Sequence, residues 1–187
     1  MIELRPLTRL NLAALKRVAS GYSSDSKYTV VYTETESCVS FDMRLIPLDK
    51  PYVKRFSYDD EILQQYNGIL ETGYSFGAYD GNLLMGLIIA EGHQWNRSSF
   101  VHEFHVAETH RNQSIGKRLM ECVREKGSRA DFRTIVCETQ NTNPTAIHVY
   151  RKLGFRVEGI DISLYSNHDY PEGEIAIFMK RRVCDIL

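Results

Sequence analysis

The residues able to do chemistry crowd between positions 101 and 155. A run R-N-Q-S-I-G, Arg111 to Gly116, stands between a strand-like segment and a strongly periodic helix. Backbone N–H groups at a helix start have no partner inside the helix. They converge on a small volume at the positive end of the helix dipole. Such a turn can hold a pyrophosphate, with Arg111 and Lys117 adding positive charge and Gly116 letting the chain approach an anion closely. Further on, N-x-x-A-I-x-x-Y-x-x-x-G-F, Asn143 to Phe155, places Tyr150 on a short helix, where a phenol can donate a proton. A diphosphate cradle followed by a phenolic acid points to acyl transfer from coenzyme A.

An amine acceptor brings a further requirement. Its pKa is near ~10.4, so it arrives protonated and must lose a proton before it attacks a thioester. Glu103, on the strand that leads to the turn, is the candidate base or amine anchor; Glu138, on the next strand, is a second. Two carboxylates near strand ends would also bind a polycation. Period 2 puts Val101, Glu103 and His105 on one face of that strand and His102, Phe104 and Val106 on the other, a parity that a bulge would break. Each candidate has a plainer reading: Glu103 as a surface carboxylate, Tyr150 as a core aromatic, Asn143 as a helix cap.

His102-Glu103-Phe104-His105 is one residue short of H-E-x-x-H and lies on a strand, so no metal is expected. His105 and His110 are placed at the mouth of the site. Tyr165, Asp169, Tyr170, Glu172 and Glu174 read either as part of a pocket for a cation or as a solvated loop.

The elements that must position these residues follow from apolar spacing. Ile2 to Arg5 alternates as a strand. Leu10, Leu12, Leu15, Val18 and Ala19 form a helix ending at Gly21. Tyr22 to Ser40 reads as polar loop with a strand at Tyr28 to Thr33; Phe41 to Ile46 is a strand stopped by Pro47. Asp59 and Asp60 open a helix through Leu70. Tyr74 to Tyr79 and Leu83 to Glu91 flank Asp80-Gly81-Asn82, a hairpin signal. After the strand to Val106 come a helix from Ile115 to about Gly127, with Ile115, Leu119, Cys122 and Val123 as its buried stripe, and a strand at Arg133 to Glu138. A helix from Thr145 to Leu153 is closed by Gly154, and antiparallel strands at Ile160 to Tyr165 and Glu174 to Met179 end the pattern. The strand-helix-strand unit at 101–138 predicts a parallel pair with a right-handed crossover.

A length of 187 residues fits a single domain, 1–187, with a substantial core. A net charge of −1 argues against nucleic acid and for a small-molecule or peptide partner. Cys38, Cys122, Cys137 and Cys184 form no C-x-x-C pair, which suits reduced thiols. With no basic and apolar leader and no run of membrane-spanning length, the expectation is a cytoplasmic protein without a membrane partner. A homodimer is compatible with the sequence but not required by it.

The pattern carried by Arg111, Ser114 and Gly116, then by Asn143, Ala146, Tyr150, Gly154 and Phe155, resembles the GNAT superfamily of N-acetyltransferases, over roughly Tyr74 to Lys180. The resemblance implies an α/β fold with a central mixed sheet, mostly antiparallel, with one parallel pair at the coenzyme-binding cleft and helices on both faces. It implies acetyl-CoA as cosubstrate, no metal, and Tyr150 as the acid beside the thioester sulfur. It also implies coenzyme contacts from Phe104, His105 and Val106, from Arg111, Asn112, Gln113, Ser114, Ile115, Gly116 and Lys117, and from Asn143, Ala146 and Tyr150. Serine at 114 departs from the family's usual glycine, and would be strained if its φ were positive. The phrases at Glu103 to Gly116, Val136 to Asn143 and Glu158 to Asn167 resemble the streptothricin acetyltransferases, which acetylate the β-lysine amine of a cationic antibiotic. A protein N-terminus, a lysine or a polyamine as acceptor stays open, as does a non-catalytic acyl-CoA sensor.

Overall fold

A computed structural model describes residues 1–184, which divide into two compact units. The first comprises residues 1–20 and 55–137 with the last strand's end; the second comprises 21–54 and 138–180.

In the first unit the strands β1 (Ile2–Pro6), β4 (Phe76–Asp80), β5 (Leu83–His93), β6 (Ser98–Val106) and β7 (Thr134–Gln140) lie side by side as β1-β4-β5-β6-β7. β1 with β4, β4 with β5 and β5 with β6 are antiparallel. β6 with β7 is parallel, from Ser98 opposite Thr134 to Val101 opposite Cys137. The mostly antiparallel sheet with one parallel pair is therefore present as expected. The hairpin turn is also as read: Asp80 faces Leu83, and Gly81 takes φ +57, which costs glycine nothing.

Helices cover both faces of these strands. α1 (Leu12–Val18) and α2 (Asp60–Leu70) bury Leu15, Val18 and Leu70 against Leu87 and Ile89 of β5. α3 (Ile115–Arg129) covers the other face, where a Cβ on Gly86 would come 3.3 Å from Ile115 and 3.4 Å from Leu119. Alternation along β5 produces both faces at once. Asn11 and Asp59 cap α1 and α2 by accepting the N–H of Ala14 and Ile62. α3 runs two residues beyond the expected stop. Gly127 is buried within it, and the chain turns at Asp131, φ +58.

The second unit holds the ribbon of β2 (Tyr22–Glu34) and β3 (Val39–Lys54), the helix α4 (Pro144–Lys152), and the antiparallel pair of β8 (Arg156–Asp161) and β9 (Ala176–Arg182). Three expectations fail here. Tyr22 to Lys27 is strand, and β3 passes straight through Pro47, which faces Ser26 beside a register shift. β3 is an edge, where a missing N–H breaks no ladder, so proline does not stop it. β8 ends at Asp161 instead of running from Ile160 to Tyr165. The Asp161 carboxylate accepts the Ser163 N–H at 2.9 Å and folds the chain into bends, a local bond that outweighs apolar alternation.

Candidate active site

The turn between β6 and α3 lies wholly in the first unit. A single 3₁₀ turn, Glu108–His110, is followed by Arg111 in extended conformation, then Asn112 at φ +61 and Ser114 at φ +59. Alternation of left-handed and other residues directs successive amides to one side, as in an anion-binding nest. Among the described residues, none gives the N–H groups of Asn112 to Lys117 a backbone partner. The first recorded bond runs from the Arg118 N–H to the Ser114 carbonyl at 3.0 Å. Ser114 occupies the N-cap position without a side-chain cap bond, and residues 111–114 are exposed. The amides of Gln113, Ile115 and Gly116, with the exposed Lys117, therefore fit a diphosphate. Arg111 contributes less charge than expected, since its Nε donates to the Val106 carbonyl and its guanidinium lies 3.7 Å from Glu108.

Gly116 serves a different purpose from the one its type suggests. A Cβ there would stand 3.0 Å from the Phe104 ring and 3.8 Å from Val106. The glycine lets α3 close down on β6; anion approach is not what demands it. Ser114 is the strained residue. Substituting Ser114→Gly removes a left-handed serine that costs on the order of 1 kcal/mol. The expected outcome is a small rise in melting temperature with acetyl-CoA affinity and turnover retained, read by calorimetry and steady-state rates. A large loss of turnover would give the Ser114 hydroxyl a role of its own.

The parity of β6 is broken where the chemistry lies. Ile89 faces Glu103 and Ala90 faces Val101, so His102 is the extra residue of a bulge. Val101 is consequently not on the face of Glu103 and His105, as strict alternation predicted. Glu103 and His105 lie opposite Ile89 and Leu87, on the side of α1 and α2. Phe104 and Val106 lie on the side of α3, beneath Gly116. His102 turns to Glu91, with Nε2 3.1 Å from Oε2.

Glu103 is no surface carboxylate, its side chain being 13% exposed. It accepts the Tyr58 hydroxyl at 3.3 Å, the Tyr66 hydroxyl, and the Nε2 of His105. Burial first, then the charge of Glu103, push both phenol pKa values well above their ordinary value, so both stay protonated donors. The Phe56 ring meets the imidazole edge-on at 5.4 Å. Neither Tyr58 nor Tyr66 was marked by the sequence as a site residue. The one available signal was a tyrosine at position 66 in an otherwise aliphatic helix stripe. His110 lies elsewhere, 4.0 Å from Asp80 and bonded to Thr109.

The second unit carries the other candidates. Tyr150 is 7% exposed on α4, with its ring 5.5 Å from that of Phe155. Asn143 caps α4, its Oδ1 accepting the Ala146 N–H at 3.1 Å, so the helix-cap reading holds and Ala146's amide is taken up by it. Glu138 accepts the hydroxyl of Tyr165, to which Gln140 also donates at 3.0 Å. Burial and then Glu138 drive the Tyr165 pKa upward. Glu174 accepts from Tyr52 at 3.0 Å, Thr142 at 3.1 Å and Lys54 at 2.5 Å. The acidic loop is not one pocket. Asp169 is 5% exposed and ties down the N–H groups of Tyr165 and Ser166, which is a structural task; Tyr170 accepts the Tyr32 N–H.

A model of the acetyltransferase (GNAT) family matches residues 42–155. The chain is 31% identical over 144 residues to a streptothricin acetyltransferase of Streptomyces lavendulae, covering 74% of this chain and 75% of that protein. It is 32% identical over 131 residues to streptothricin acetyltransferase A of Bacillus subtilis, covering 69% and 72%. The crystal structure of a nourseothricin acetyltransferase superposes with a TM-score of 0.78 at 28% identity, covering 98% of this chain and 99% of that one. A Bacillus anthracis protein crystallised with acetyl coenzyme A shares the fold, with a TM-score of 0.71 at 20% identity over 97% and 99% of the chains.

Proposed function

This chain belongs to the GNAT acetyltransferase family and is an acetyl-CoA-dependent N-acetyltransferase, and on that footing we propose that its acceptor is the β-lysine amine of a streptothricin-like antibiotic, which acetylation inactivates. The observation that carries the reading is the open amide row of Asn112 to Lys117 at the start of α3. The choice of acceptor rests on likeness to the streptothricin acetyltransferases.

Gln113, Ile115, Gly116 and Lys117 are the groups that would hold the diphosphate, with the strand Phe104 to Val106 along the pantetheine arm. Bound acetyl-CoA supplies an acetyl thioester. The chain supplies proton management. The Glu103 cluster takes a proton from the arriving ammonium, and Tyr150 Oη holds one for the departing sulfur. Glu138 adds negative charge that favours a cationic acceptor.

The test is a mass-spectrometric screen with acetyl-CoA and streptothricin, alongside a lysine peptide, a free peptide N-terminus and a polyamine. Acetylated streptothricin, at a rate well above the other amines, is the expected result. Preference for a peptide or polyamine would reassign the acceptor. Acetyl-CoA binding without acetylation of any amine would leave a sensor.

A further inference from the structure

We infer that the atom that takes the acceptor's proton is Nδ1 of His105, with Glu103 as the partner that sets the imidazole's tautomer. The inference rests on the acetyltransfer reading and adds to it which atom is the base.

Glu103 is poorly suited to take that proton itself. Its oxygens already accept the hydroxyls of Tyr58 and Tyr66, both of which stay protonated, and the Nε2–H of His105. With its oxygens occupied by three donors, the carboxylate offers the arriving ammonium little room as an acceptor. Its remaining consequence is on the imidazole. With Nε2–H donated to a carboxylate, Nδ1 is the bare nitrogen, and no hydrogen bond is recorded for it among the described residues. Alternation along β6 beyond the bulge keeps Glu103 and His105 on one face, where Tyr58 and Tyr66 reach the carboxylate. The imidazole is held edge-on by Phe56 and remains 19% exposed, so its free edge is not closed off.

The step balances. The ammonium gives one proton to Nδ1, the freed nitrogen lone pair forms the N–C bond as the C–S bond breaks, and the loss of the amine's second proton offsets the one that the departing thiolate takes up. The imidazolium returns its proton to solvent. The titratable group bonded to His105 is Glu103 on its own strand, which in turn accepts Tyr58, on the segment before α2, and Tyr66, on α2.

His105→Gln tests the assignment, because a glutamine amide can keep the donor to Glu103 while lacking the titratable nitrogen. The expected result is a fall in kcat of about 100-fold, unchanged acetyl-CoA affinity by calorimetry, and loss of the acid limb of the pH profile. A change below about threefold with the acid limb intact would overturn it and return the role to Glu103 or water. A second measurement needs no turnover: long-range ¹⁵N correlation of the His105 ring in the wild-type protein. An Nε2–H tautomer with bare Nδ1 supports the assignment; an Nδ1–H tautomer refutes it. Wild-type protein that acetylates no amine would sink the functional reading, while the tautomer would still decide the geometry on which His105 depends.

Discussion

Tyr150→Phe lowers kcat at least about tenfold, toward the 10²–10⁴-fold that general acid–base assistance is worth, with the acetyl-CoA dissociation constant nearly unchanged. The substitution removes Oη and keeps the ring, so the packing against Phe155 at 5.5 Å survives. If Tyr150 were a core aromatic alone, the change would cost about 1 kcal/mol of stability at most and leave turnover untouched. Steady-state rates, coenzyme calorimetry and a melting curve on the same variant separate these outcomes. A departing thiolate that no longer receives its proton from a fixed phenol slows the chemical step, which kcat reads. Unaltered kcat would remove the acid role from Tyr150 altogether.

Glu103→Gln produces the second large effect: a fall in turnover of roughly 10–100-fold with a displaced acid limb in the pH profile. The neutral amide removes the carboxylate that accepts the His105 Nε2–H, so the tautomer with a bare Nδ1 loses its support. Stability also falls, because Tyr58, 7% exposed, and Tyr66 lose a carboxylate acceptor in a desolvated place. A buried donor left poorly matched costs about 1–3 kcal/mol. Turnover and pH profile both equal to wild type would show that Glu103 serves packing alone. A lowered melting temperature with normal turnover would say the same.

The phosphate turn was legible because its signals are local. A polar run between an alternating segment and a periodic helix fixes a strand-turn-helix, and the unpaired amides follow from where helices begin. The purpose of Gly116 was not legible. Its contact with Phe104 depends on how α3 lies on β6, which no spacing along the chain reveals. The failures in the second unit have two causes. Pro47 stops a strand only if its nitrogen owes a ladder bond, and on an edge it owes none. Asp161 and Asp169 bend the chain by bonding nearby amides, while alternation alone argued for a strand.

The cluster around Glu103 marks the boundary most clearly. An anion-binding turn paired with the phenol of Tyr150, and the family pattern they carry, sufficed for the reaction class, with Glu103 as a candidate base and His105 only at the mouth of the site. Alternation already placed the two on one face, but it could not say what else lies there. One extra residue at His102 moves Val101 to the other face and leaves Glu103 and His105 opposite Ile89 and Leu87. Tyr58 and Tyr66 reach the same carboxylate from 45 and 37 positions away. Helix periodicity, capping and turn chemistry act over a few residues, so the chain's own order determines them. Strand register and the company a buried side chain keeps are settled by pairing and packing across the fold, and those decided which atoms hold the proton.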